Sequence, residues 1–113
     1  MILEKDEKVF IVERKYFKED SRRLFCGEVI GCSENLLRAK GYAWFMSHNL
    51  NQFVKKLELR ERIFCFSNRL VINVIPRDID LSLVHYSFDQ KRGHIITDGK
   101  DYSLNIDEFG HNV

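Results

Sequence analysis

The sequence predicts a mainly β protein, a small barrel or a two-sheet sandwich of short antiparallel strands with one or two helical turns. Three observations carry this expectation. Apolar and polar residues alternate with a period of two along most of the chain, as side chains do across a half-buried strand. The alternating runs are separated by short polar turns, among them Ser33-Glu34-Asn35, Lys91-Arg92-Gly93 and Asp98-Gly99-Lys100. Almost nothing reads as helix, and many short strands with tight turns favour a barrel or a pair of packed sheets.

Taken in order, residues 9–17 form the first expected strand, with Phe10, Val12 and Tyr16 on one side. Residues 18–23 are polar and suit a short helical turn capped by Asp20 or Ser21. Two long strands, 24–32 and 36–46, are joined by Ser33-Glu34-Asn35, and residues 48–52 read as a polar loop. A second hairpin is expected from 59–66 and 70–75 around Ser67-Asn68-Arg69. Pro76, the one proline, stops that sheet because it has no amide hydrogen to give a ladder. Residues 78–83 suit one helical turn capped by Asp78 or Asp80, and 84–88, 94–97 and 102–106 are three further short strands. Phe109, near the end of the sequence, is expected to pin the tail to the body or to contact a neighbour.

A chain of 113 residues without low-complexity or linker-like stretches is expected to form a single β-rich domain spanning 1–113. Its longest apolar runs, around Tyr42 to Met46 and Leu70 to Ile75, are far too short for a membrane-crossing helix. The segment Met1-Ile2-Leu3-Glu4-Lys5-Asp6-Glu7-Lys8 lacks the basic-then-apolar order of a signal peptide, so the expected location is the cytoplasm, with no membrane partner. The 18 Lys and Arg against 17 Asp and Glu exclude a whole-surface electrostatic grip on nucleic acid and leave only a local patch. Cys26, Cys32 and Cys65 cannot all pair within one chain, and in strand-like surroundings they read as reduced core thiols.

The segment 36–46 holds the most chemistry. Leu37, Ala39, Gly41, Ala43 and Phe45 share one face, small and apolar enough for a tightly curved sheet, with Gly41 marking a bend or bulge. Arg38, Lys40, Tyr42 and Trp44 share the other. Cations interleaved with large aromatics suit phosphates and stacked bases, the arrangement that sheet-based single-strand binders use. Lys55, Lys56, Arg60 and Arg62 extend the patch if their strand lies alongside, so Arg38, Lys40, Tyr42, Trp44, Arg60 and Arg62 form a candidate nucleic-acid or partner face. Equally, lysine and arginine stems cover aromatic faces in ordinary structural roles.

Elsewhere the motifs of catalysis are missing. His48, His85, His94 and His111 stand in no zinc-binding spacing, and no metal or cofactor is expected. Cys26 and Cys32, six apart on one strand, fall on the same face. A grouping of His94, Asp98 and Asp101 is read as a turn whose aspartate caps backbone amides. Glu28 is the one carboxylate inside a strongly apolar strand, and no phosphate-binding glycine loop is present.

The run Arg23-Leu24-Phe25-Cys26-Gly27-Glu28-Val29-Ile30-Gly31-Cys32-Ser33-Glu34-Asn35 resembles the first conserved strand pair of Sm-like barrels, and residues 64–75 are similar to their closing hairpin. The resemblance covers about half the chain and implies a small β-barrel. The basic-Gly dipeptide of the second Sm motif is replaced by Asn68-Arg69-Leu70, and further strands follow Pro76, so no RNA-site residue is transferred. The layout also resembles that of short bacterial β-barrel proteins. Three functions follow as expectations. The first is a non-enzymatic interaction module forming a homo-oligomer through sheet edges or an aromatic face. The second is single-stranded nucleic-acid (RNA) binding through the 38–44 face. The third is a small-ligand binder or hydrolytic enzyme with a pocket of His85, His94 and the Asp98 turn.

Overall fold

The computed structural model describes residues 2–14, 23–47, 49–50, 52–67 and 69–106. Among them nine strands form two antiparallel sheets, so the mainly β fold expected from alternation is the fold observed. The larger sheet has the order β4-β3-β2-β1-β6, with β5 also pairing β3. Its members are β1 (Lys8–Glu13), β2 (Arg23–Cys32), β3 (Leu36–Ser47), β4 (Gln52–Lys55), β5 (Arg60–Cys65) and β6 (Leu70–Ile75). β3 is long enough to carry two neighbours on one side: Trp44 to Ser47 pair with β4, and Leu36 to Gly41 pair with β5. After Pro76 a 3-10 turn, Leu81–Leu83, is capped by Asp80, whose carboxylate accepts from the Ser82 amide at 3.0 Å. The smaller sheet follows, β7 (His85–Asp89), β8 (Gly93–Thr97) and β9 (Ser103–Asn105), in that order.

Each face of the larger sheet has its own core. The outer face presents Phe10, Val12, Leu24, Cys26 and Trp44, and the smaller sheet and its approach cover it with Ile79, Val84, Ile96 and Ile106. Phe10 and Trp44 meet edge to face at a centroid distance of 6.0 Å. The inner face presents Val9, Ile11, Phe25, Val29, Leu37, Ala39 and Ala43, and the sheet curls over it until Phe64 of β5 packs edge-on against Phe25 at 5.2 Å. The architecture is therefore a two-layer sandwich in which one layer is curled but not closed.

The strand order fixes the relative sense of the two end strands. β5, β3, β2, β1 and β6 are joined by four antiparallel pairings in succession, so β5 and β6 run in the same sense. An antiparallel hairpin between them is impossible in such a sheet. The expected hairpin of 59–66 with 70–75 is therefore corrected: β5 pairs with β3 and β6 with β1. The two strands are consecutive in sequence but lie at opposite ends of the sheet.

The Ser33 turn is a hairpin as expected, its amide donating to Leu36 O at 2.9 Å and its hydroxyl accepting from the Leu36 amide at 3.2 Å. The loop expected at 48–52 gives way to β4 from Gln52 onward, a four-residue strand too short for alternation to reveal. The first strand is observed as β1, and its expected extension to 17, the helical turn with its Asp20 or Ser21 cap, and the Phe109 tail lie outside the described residues, in whole or in part. Gly41, expected to mark a bend or bulge, stays in register with Gly27 and Arg60, and a bulge lies in β2, where the register shifts between Val29 and Gly31. One extra residue reverses the facing of everything beyond it. Cys26 accordingly joins the outer core, whereas Cys32 packs against the inner one, not on the same face.

Candidate functional site

Alternation along β3 places Arg38, Lys40, Tyr42 and Trp44 on the outer face, but the four have different environments. Arg38 and Lys40 are exposed and Tyr42 is half-buried. Trp44 is 2% exposed beneath the second layer, with its indole N–H donating to the Cys26 sulfur at 3.4 Å. It is therefore a core residue and offers no stacking surface. Burial holds the Cys26 thiol above its ordinary pKa, which keeps it neutral in this apolar setting.

The register of β5 corrects the proposed extension of the patch. Directly opposed residues in an antiparallel pair share a face. Arg60 lies opposite Gly41 and Arg62 opposite Ala39, so both belong to the inner face. The β5 residues beside Arg38 and Lys40 are Ile63 and Glu61. Glu61 forms an ion pair with Arg38 at 3.9 Å and lies across from Lys40, while Glu28 of β2 lies on the other side of Lys40. Two carboxylates thus balance the two cations. Glu28 is exposed, in keeping with its place in this surface pattern.

A cleft of about 480 Å³ opens on this face, within the size range of small-ligand sites. Lys5, Lys8, Glu28, Lys40, Tyr42 and Asp80 contribute to its lining. One wall is braced from behind by Lys55 of β4. Its ammonium sits 4.4 Å from the Tyr42 ring centroid and donates to the carbonyls of Leu81 at 2.7 Å, Ser82 at 3.2 Å and Val84 at 2.7 Å. Burial lowers the Lys55 pKa, opposed by the nearby Cys26 and Asp80. Lys8 likewise reaches across, donating to Ile79 O. These two lysines tie the turn region to the larger sheet. The sequence named Lys55 as an extension of the patch but carried no signal for this role, because the carbonyls it meets lie 26, 27 and 29 residues away.

The grouping of His85, His94 and the Asp98 turn does not form a pocket. His85 is opposite Thr97 and His94 is opposite Phe88, which places the two rings on opposite faces of the smaller sheet. His94 packs between Tyr86 and Phe88 and shares a hydrogen bond with the Tyr86 hydroxyl through Nδ1. His85 Nδ1 lies 2.9 Å from Leu83 O. Asp98 caps its turn, accepting from the amides of Lys100, Asp101 and Tyr102 at 2.9, 3.1 and 3.0 Å. Those bonds, with Lys100 the largest contributor, hold its carboxyl below the ordinary range. Of the three free cysteines only Cys26 is fully buried; Cys65, expected in a core, is exposed on β5.

No helix among the described residues is long and apolar enough to cross a membrane. No family model, curated protein or solved structure is significantly similar to the chain.

Proposed function

We propose that this chain is a non-enzymatic interaction module whose partner is a second copy of itself, joined through the open edges of the larger sheet. The observation that carries this reading is the pair of six-residue strands, β5 and β6, that end the curled layer without pairing to each other. An unpaired edge is a template for another strand, and two-fold pairing of identical copies is an economical way for a small β protein to cover one. Exposed apolar side chains accompany these edges: Ile63 at 55% and Val74 at 59%. A groove of about 260 Å³ lies between the end of β5 and the start of β6, lined in part by Ile63, Cys65, Arg69 and Leu70.

The single-stranded nucleic-acid reading has less support. With Trp44 in the core, Tyr42 is the partly exposed aromatic left on the 38–44 face, and Glu28 and Glu61 neutralise its cations. Light scattering coupled to gel filtration over a concentration series tests self-association. The expected result is a mass above 13.5 kDa that grows with concentration toward a defined multiple. A monomeric mass throughout the series overturns it.

A further inference from the structure

The direction of the peptide groups along β5 selects one mode of pairing. The Phe66 amide donates to Asn35 O at 2.9 Å, continuing the β3–β5 register. In an antiparallel ladder every second residue points its N–H and C=O at the neighbour, so Arg60, Arg62 and Phe64 face β3. Glu61, Ile63 and Cys65 therefore point theirs away from the sheet, where no backbone partner meets them among the described residues.

We infer that two copies pair antiparallel through β5, with a two-fold axis at Ile63. This rests on the self-association reading and names its geometry. With the axis there, Glu61 lies opposite Cys65 of the second copy and Ile63 opposite itself. All outward groups of both strands are then used, three residues on each copy both giving and accepting. Side chains also match. Ile63 meets Ile63 on the outer face, beside the exposed Leu36, and Arg62 of one copy lies opposite the buried Phe64 of the other on the inner face. Moving the axis to Arg62 sets that arginine against its own copy and leaves Cys65 unpaired. Moving it to Glu61 opposes two carboxylates.

The β6 edge is the weaker template. The same ladder logic, anchored by Arg14 N–H donating to Arg69 O at 2.7 Å, makes Leu70, Ile72 and Val74 its outward residues. The Leu70 amide is already committed to Ser67 O. A regular antiparallel β5–β6 contact between copies also sets outer-facing residues of β5 against inner-facing residues of β6, which turns one copy over relative to the other.

The test uses the native Cys65. Glu61→Cys, under mild oxidation, is expected to give a covalent dimer, because opposed residues sit about 5.5 Å apart, within disulfide reach. Within one chain positions 61 and 65 are separated by about 13 Å of strand, so the bridge has to be intermolecular. Adding Cys65→Ser should abolish it. Ile63→Pro removes an outward amide without touching the β3 ladder, and Ile63→Lys adds charge at the axis; each should weaken association at least tenfold. If Ile63→Pro fails to fold, Ile63→Lys and the cross-link decide. Persistent association in a folded Ile63→Lys variant, with no 61–65 cross-link, overturns this geometry while leaving self-association standing. A wild-type protein that is monomeric throughout overturns both.

Discussion

Asp98 shows how a single residue joins two strands through local chemistry. Its carboxylate gathers three amides in the turn between β8 and β9, while Gly99 takes the positive φ of 81° that the turn needs. Because those bonds hold its pKa below the unfolded value, the folded state binds this proton less readily. The associated stability is present above the ordinary carboxylate pKa of about 3.9 and is lost as pH falls through the folded value. Asp98→Asn is therefore expected to be less stable than wild type at neutral pH, with the difference shrinking on acidification below about pH 4. Chemical denaturation across that range checks it; a gap independent of pH would remove the charge from the account. This role was legible in the sequence, since Asp-Gly in a turn depends on nothing distant. The fate of Trp44 was not, because alternation gives its face but not what lies over it.

At the scale of elements, β2 and β3 approach closely where Gly27 faces Gly41. A Cβ at Gly41 would overlap the Cys26 carbonyl oxygen and lie 2.5 Å from the Gly27 Cα. The two glycines let the strands coil tightly there, which brings β5 round toward Phe25. Gly41→Ala is expected to destabilise the fold by about 1–3 kcal/mol or more, since the obstruction is backbone and cannot rotate away. Urea unfolding measures it, and a neutral result would mean that the strands separate at little cost. The same scale explains two departures from sequence expectation. Alternation within 60–65 separates Arg60 and Arg62 from Glu61 and Ile63, yet only the register with β3 says which pair accompanies Arg38. The β2 bulge, one extra residue, carries Cys32 to the face opposite Cys26.

For the whole molecule, the two layers are held by apolar burial and by lysines that cross between them. Lys55 belongs to the larger sheet, but its ammonium satisfies three carbonyls in the segment leading to the smaller one. Lys55→Met keeps much of the stem and removes those bonds. A loss of about 1–3 kcal/mol is expected, as for partners of a charged hydrogen-bond donor left unmatched. Amide exchange in β7, β8 and β9 should rise more than in β1 and β2 if the layers loosen; uniform change would show that Lys55 does not link them. Parity operates at this scale too. Five strands joined by antiparallel steps end in two strands of the same sense, β5 and β6, which do not pair with each other among the described residues.

The mainly β fold, the Ser33 hairpin, the stop at Pro76, a capped turn within residues 78–83 and the strand–turn pattern of the last third were determined by the sequence itself. Each follows from period-two burial or from side chains that bond their own backbone within a few residues. Tertiary structure alone decided the open rather than closed layer, the burial of Trp44, the opposite facing of His85 and His94, and the separation of Arg60 and Arg62 from Arg38. These depend on which strands become neighbours and in what register. That choice is made by long-range packing of two cores, which no local pattern records.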